Sequence, residues 1–442
     1  MSLSNLLVRS TIVAALGGLL FGFDTAVISG ITDALTKTYG LSASGLGLTV
    51  ASALWGTILG AMLASIPGEK LGRRDSLRVM AILYFVSAAG CALAWNWDAL
   101  VFFRFIGGLG IGGSSVLGPM YIAEISPAKW RGRLVAFFQF NIVAGILLAY
   151  LSNYLIGLGG FGETEWRWKL GVSALPALLF LGMLFVIPRS PRWLVSRDRP
   201  EEARKVLIEI GEEDIDAELK QMIASVHLDR HHGAEPLFQM KYRLPIFLAI
   251  SIGMFNQLSG INAILYYLND IFAKAGFTKV SGDLQAVTIG ATNLLFTVLA
   301  MSIIDKLGRK KLLLVGALGT GACLAGVSAV FASGSHENML VWLLVGFIAF
   351  FAFSQGAVIW VYLSEVFPTR VRAKGQSLGS FTHWVMNAII SYSFPILAAR
   401  SKSIPFAFFA AMMLVQFFVV LLVYPETSGI TLEDMEERLA AQ

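Results

Sequence analysis

Asp24 and Arg104 are ionisable side chains set deep inside long apolar stretches of this 442-residue chain. Charges in such places are costly, and by default they mark function. A carboxyl held between an apolar surrounding, which favours its neutral form, and a guanidinium, which favours its charged form, can take up and release a proton when those surroundings change. A fixed structural ion pair is the plainer reading. A second set is polar but uncharged: Gln139, Gln257, Asn262, Asn293, Trp360, His383, Trp384 and Asn387. Carboxamides offer donors and acceptors together, as vicinal hydroxyls do. An indole face covers a ring of C–H groups and still donates one hydrogen bond. Such a lining suits a neutral polyhydroxylated solute, whereas any one amide alone reads as glue between helices. Asn262 and Tyr266 share a helix face, but Gln257 and Asn262 lie ~140° apart on an ideal helix. They converge only if the helix loosens, which Gly260 between them permits.

A third set is charged and repeats. Arg73, Arg74, Glu124 and Arg131 are mirrored by Arg309, Lys310, Glu365 and Arg372. Carboxylates at helix ends facing arginines can pair across neighbouring helices, holding one side shut in one state and parting in another. Two other patterns carry less. Gly108-Leu109-Gly110-Ile111-Gly112-Gly113 resembles a dinucleotide fingerprint but lies in an apolar run with no strand before it, so close helix packing is the better reading. His227, His231 and His232 have metal-like spacing without a cysteine nearby, and an exposed polar face explains them. Cys91 and Cys323 lie in separate apolar runs and read as small hydrophobes.

The elements that must position these residues are membrane spans. The chain is 56% apolar and 14% charged, with mean hydropathy +0.69. Ordinary soluble domains carry about 25% charge, so disorder is excluded and the composition argues against an ordinary cytosolic enzyme. Apolar runs fall near 9–32, 45–66, 77–96, 100–122, 134–157, 168–187, 244–269, 285–304, 312–332, 340–363, 376–398 and 404–424. These are numbered spans 1 to 12, each near the ~20 residues a crossing needs. The polar stretch 188–243 reads as amphipathic helices. Short loops after spans 2, 4, 8 and 10 hold 14 Lys/Arg, against 7 in loops after odd spans, Arg167 and Lys169 among them. That bias places the even loops and both termini in the cytoplasm. Leu71-Gly72-Arg73-Arg74 recurs as Leu307-Gly308-Arg309-Lys310, Glu124-Ile125-Ser126-Pro127 as Glu365-Val366-Phe367-Pro368, and Pro188 as Pro425, at offsets of 236, 241 and 237. Six spans separate the copies, so the chain is a parallel repeat of two six-helix halves.

Several motifs together resemble the sugar porter family of the major facilitator superfamily, and within it the bacterial proton-coupled xylose and glucose symporters. They are Gly17-Gly18-Leu19-Leu20-Phe21-Gly22-Phe23-Asp24, Gly72-Arg73-Arg74, Arg104 with its glycine run, Pro119-x-Tyr121-x-x-Glu124 ending in Arg131-Gly132, Gln257-Leu258-Ser259-Gly260-Ile261-Asn262 with Tyr266-Tyr267, Asp305-x-x-Gly308-Arg309-Lys310, and Pro425-Glu426-Thr427. The resemblance covers nearly the whole chain. It implies that Asp24 is the proton-coupling acid and Arg104 its partner, where purely facilitative animal members typically carry an amide. It implies sugar contacts at Gln139, Gln257, Asn262, Tyr266, Asn293 and Trp360, with Phe21 lining the cavity, and it adds Asp305 and Glu426 to the cytoplasmic gate. The chain departs from the family in four places. The usual paired glutamines read Asn256-Gln257. Gly356-Ala357-Val358-Ile359-Trp360 lacks the span 10 proline, so a softer bend is expected there. His383 stands where xylose carriers have glutamine, and it can contact sugar or add a second titratable group. Pro188-Arg189-Ser190-Pro191-Arg192 has lost the acid that Pro425-Glu426 keeps, so an uneven latch is expected.

The expectation is an all-α, twelve-helix membrane protein of the major facilitator fold. Its parts are an N-terminal half at 1–187, a cytoplasmic helical linker at 188–243, a C-terminal half at 244–424 and a tail at 425–442. It is expected to be a proton-coupled hexose or pentose symporter in the cell's inner membrane, working by alternating access as a monomer. No cofactor, metal or nucleic-acid partner is expected, and no nucleophile–base pair suggests an enzyme. The alternatives are an uncoupled facilitator, an organic-anion carrier anchored on Arg104, and a non-transporting sugar receptor.

Overall fold

A computed structural model describes residues 4–231, 236–368 and 371–428, with the backbone alone at 128, 129, 225–231 and 305. The side chains of His227, His231 and Asp305, and all of His232, lie outside the described residues. Among the described residues every regular element is a helix. Ten helical stretches are long and apolar enough to cross a membrane, from Asn5–Gly30 to Ile404–Val423.

The other two expected spans are also helical but fall short of that measure, each for a physical reason. The sixth is split into Glu165–Gly171 and Ala174–Met183. Pro176 has no N–H to give the carbonyl of Val172, and the helical ladder loses that bond where the span breaks. The eleventh is one 29-residue helix, Arg372–Arg400. Gln376, Ser380, Thr382, His383, Asn387 and Ser391 dilute its hydropathy, because this span carries much of the polar lining.

The described chain forms two compact units. The first comprises Met1–Asp24, Ser52–Ala149 and Thr164–Gly233. Its core joins Leu77 and Ala81 of span 3, Leu117 and Tyr121 of span 4, and Phe180 and Leu184 of span 6. Helices Pro191–Ser196 and Pro200–Ile210 add to that core. Each starts on a proline, whose missing N–H has no partner to lose at a helix start. Ala203, Val206, Leu207 and Ile210 line one helical face and bury it. Spans 2 and 4 touch backbone to backbone: a β-carbon on Gly108 would strike the carbonyl of Ala53, and one on Gly112 that of Thr57. The glycine run therefore packs helices, as read from its setting.

The second unit comprises Thr25–Ala51, Tyr150–Glu163 and Ala234–Gln442. Its core joins Leu248 and Ile252 of span 7, Leu312 and Leu313 of span 9, Val358, Ile359 and Tyr362 of span 10, and Val420 of span 12. Span 10 is interrupted outright at Ser354, φ −117° and ψ −90°, between Met339–Phe353 and Gln355–Glu365. The expected soft bend is thus a break made without proline. The Ser354 hydroxyl donates back to the carbonyl of Phe350 at 2.5 Å, competing with the helical ladder. Beyond span 1 this unit holds a 3-10 turn, Ile28–Gly30, and the helix Thr32–Tyr39. Asn153 donates to the carbonyl of Val27 at 3.1 Å, and Tyr150 to that of Leu265 at 2.9 Å.

Candidate functional site

In the first unit, Arg104 Nη1 stands 4.0 Å from Asp24 Oδ1. The arginine side chain is 3% exposed and the aspartate 28%. This is a loose ion pair, beyond hydrogen-bond length. It borders a small pocket also lined by Leu20, Tyr84, Ser87, Cys91 and Ser173, with room for a water molecule. The Tyr84 hydroxyl is 3.0 Å from Ser114 Oγ and donates to the carbonyl of Gly17 at 3.3 Å. Sequence reasoning missed Tyr84, Ser87 and Ser173. Tyr84 and Ser87 are one turn apart on span 3, but nothing in their spacing says which helix they face. It also counted Lys169 as a loop cation. Lys169 is fully buried and pairs with Glu165 at 2.7 Å, four residues away on the same helix. An acid and a base at that spacing was the available signal. Phe21 and Gln139 lie half-buried in this unit.

The second unit gathers most of the amides. Span 7 ends its first helix at Leu258 and resumes at Ile261, through Gly260 at φ +81°. That left-handed turn is open to glycine, and the space beside it is taken by the ring of Phe409. It brings together the two residues that an ideal helix would separate. Asn262 Nδ2 donates to Gln257 Oε1 at 3.0 Å, and Gln257 Nε2 donates to Asn256 Oδ1 at 3.1 Å. The same Gln257 nitrogen lies 3.2 Å from His383 Nε2. The His383 ring is 5.2 Å from Trp360 and 5.1 Å from Trp384, centroid to centroid. Asn387 Nδ2 donates to the Tyr266 hydroxyl at 3.2 Å and accepts from Ser391 at 3.0 Å. Asn256, Gln257, His383 and Asn387 are buried, whereas Trp360 is 38% exposed. Asn293 is also buried, but among the described residues no hydrogen bond joins it to this chain of amides. The arrangement is two hydrogen-bonded sets of donors and acceptors, one around Gln257 and one around Asn387, beside a partly open indole. It can exchange its internal hydrogen bonds for those of a hydroxylated ligand.

The charged clusters repeat closely, each within its own unit. Arg73 pairs with Glu124 at 2.9 Å, and Arg309 with Glu365 at 2.8 Å. The Ser190 hydroxyl donates to Glu124 at 2.5 Å, and the Thr427 hydroxyl to Glu365 at 2.6 Å. Tyr121 donates to the carbonyl of Pro188 at 2.8 Å, and Tyr362 to that of Pro425 at 3.3 Å. Arg131 and Arg372 both donate to nearby backbone carbonyls, Arg131 to Ala123 at 3.0 Å and Arg372 to Phe367 at 3.3 Å. The copies differ at the position expected to be uneven. Glu426 accepts from the backbone N–H groups of Arg309 and Lys310 at 2.8 and 3.0 Å. Arg189 instead donates to Asp75 at 2.9 Å. Asp75 also takes Arg74 at 3.0 Å and Arg78 at 2.8 Å. The acid missing after span 6 is thus replaced by one inside the first turn of span 3, a partner the sequence reading overlooked. Among the described residues no His, Cys, Asp or Glu cluster could hold a metal ion.

Comparison with known proteins adds the relatives. Residues 10–439 match the family model described as sugar (and other) transporter. The chain is 36% identical to a D-xylose-proton symporter of Escherichia coli, covering 98% of this chain and 96% of that one. It is 37% identical to a glucose transport protein of Synechocystis sp., covering 96% and 95%. The inward-open structure of the xylose transporter XylE from E. coli matches with a TM-score of 0.87 at 35% identity, over 98% of this chain and 99% of that one.

Proposed function

The chain belongs to the sugar (and other) transporter family, and from that premise we propose that it is a proton-coupled monosaccharide symporter working by alternating access. The observation that carries coupling is the loose Asp24–Arg104 pair, 4.0 Å apart beside a small pocket. A proton on Asp24 removes the charge that attracts Arg104, and span 1 is freed to reorient. A ligand shifts two states only through its different affinity for them. Sugar supplies that difference by exchanging hydrogen bonds with Gln257, Asn262, Asn256 and His383, while Trp360, Trp384, Tyr266 and Asn387 shape the rest of its surroundings. By the family resemblance, Phe21, Gln139 and Asn293 are assigned to the sugar as well. The two six-helix halves, 1–187 and 244–424, carry these roles, with 188–243 as the cytoplasmic linker. Residues 425–428 begin the cytoplasmic tail, and 429–442 lie outside the described residues.

The clusters around Arg73, Arg74, Glu124 and Arg131 and around Arg309, Glu365, Arg372 and Glu426, with Asp305, form the cytoplasmic gate. The loop charge bias supports cytoplasmic termini in an inner membrane. Two of the seven opposing cations, Arg167 and Lys169, are tied to protein partners, which strengthens that bias. The protein acts as a monomer with a sugar, a proton and the bilayer as its partners. The test is uptake by proteoliposomes: an inward proton gradient should drive xylose or glucose above its equilibrium level. Uptake that stops at equilibrium would make the protein a facilitator, and inhibition by carboxylates but not sugars would make it an anion carrier.

A further inference from the structure

Past the end of span 1, a small polar catch joins elements far apart in sequence, all within the second unit. The hydroxyl of Thr32, buried at the start of helix Thr32–Tyr39, donates to Asp270 Oδ1 at 2.9 Å. Ser29 donates to Asn269 Oδ1 at 3.0 Å, and Asn269 donates from its amide nitrogen to the buried carboxylate of Asp283. Three acids therefore converge here. Asp33 is next to Thr32 and is exposed, paired with Lys37 at 2.6 Å. Asp283 comes from the helix Lys279–Leu307 and Asp270 from the helix Leu268–Lys274. The facing cation is Lys274 on Asp270's own helix, which lies near Lys402; Lys402 donates to the Lys274 carbonyl at 3.0 Å. Asp270 is half-buried and accepts from a neutral hydroxyl, where a water-exposed carboxylate would be fully hydrated.

We propose that Asp270 is a second proton-binding group of the transporter, whose protonation fastens the far end of span 1 to the helix Leu268–Lys274. The proposal rests on the alternating-access reading above, since the catch must open and close as span 1 moves. Ser29 and Thr32 follow Asp24 by five and eight residues. The coupling acid lies in the last turn of the helix Asn5–Val27, and the hydroxyls of the catch lie in the 3-10 turn and the helix that follow it directly in the chain.

The electrostatics give the direction. Burial, with Asp33 adding to it, pushes the Asp270 carboxyl up to about 6, against the opposing effects of Thr32 and Lys274. When the catch opens, the group returns to water and to an ordinary value near 3.8. The fastened state therefore holds its proton more tightly than the open one. Fastening is complete at low pH, weakens as pH rises from about 4 to about 6, and is flat above that. An acidic exterior closes the outer side behind a bound proton, which is the direction inward symport requires.

The test uses the full chain in lipid nanodiscs, with Cys91 and Cys323 replaced by serine and Asp24→Asn to remove the main coupling acid. Spin labels at Thr38 and Val280, both exposed, report the distance across the catch. The ratio of fastened to open chains should fall by roughly tenfold to a hundredfold between pH 4 and pH 7. With Asp270→Asn it should stay high and flat. Thr32→Ala removes the hydroxyl that favours the charged carboxylate, so its midpoint should move to higher pH with the slope kept. A flat profile with Asp270 in place, or the same slope with Asp270→Asn, overturns the proposal. The measurement needs neither sugar nor a gradient. Failure of wild-type proton-driven uptake would sink the symport reading instead, and the two failures are separable.

Discussion

Asn262 donates a 3.0 Å hydrogen bond to Gln257, although an unbroken helix would turn these two side chains away from each other. The bond exists because span 7 stops and restarts at Gly260. The convergence of the amides is therefore a property of one backbone angle as much as of the amides themselves.

Gly260→Ala tests this directly. A β-carbon there forces a left-handed residue, at about 1–2 kcal/mol, and drives into the Phe409 ring. Sugar affinity, read by tryptophan fluorescence, should weaken at least tenfold while far-UV circular dichroism stays helical. Unchanged affinity would separate the amide chain from the sugar site.

Gln257→Ala leaves Asn262 and Asn256 without their shared partner. Binding of the transported sugar should lose ~1–3 kcal/mol, and Trp360→Ala a similar amount. Calorimetric titration of both variants checks this. If neither changes affinity, the sugar binds elsewhere.

Asp24→Asn keeps the shape of the side chain and discards its charge. Proton-driven accumulation in proteoliposomes should vanish, while exchange of labelled for unlabelled sugar across the membrane continues. Uphill uptake by this variant at the wild-type rate would end the coupling role of Asp24.

Asp75 holds three guanidinium groups, whereas Arg189 makes one contact to it. Asp75→Asn should therefore cost about 1–3 kcal/mol more stability than Arg189→Gln and melt at the lower temperature of the two. Their double variant should fall short of the sum, because the two share a partner. Additive losses would mean that the Arg189 contact contributes nothing.

The buried pair Glu165–Lys169 gives a sharper contrast. Lys169→Met takes away the ammonium that the Glu165 carboxylate pairs with and should cost about 3–5 kcal/mol, while joint replacement of both by Met and Leu should cost far less. Equal losses in the single and double variants would show that the attraction between the two charges is negligible.

Much of this was legible from residue order. The twelve runs, the internal repeat and the need for span 7 to loosen at Gly260 all follow from patterns along one chain. What stayed hidden depends on how a helix is rotated about its axis and on what lies across from it. Tyr84, Ser87 and Ser173 meet Asp24 only through helix packing. Asp75 could not be matched to Arg189, because their partnership spans 114 residues. Lys169 misled because a loop count weighs residue type and not surroundings. Pro176 was visible, but its effect on span 6 was not, since proline kinks some spans without breaking them.

The Phe409 ring stands where residue 260 would carry a β-carbon. A side chain on the last span thus packs directly against the joint between the two segments of span 7. Selectivity can accordingly drift through exchanges at position 409, a residue outside the amide chain, even while every polar group keeps its identity. Relatives with the same amides but a different ring there need not prefer the same solute.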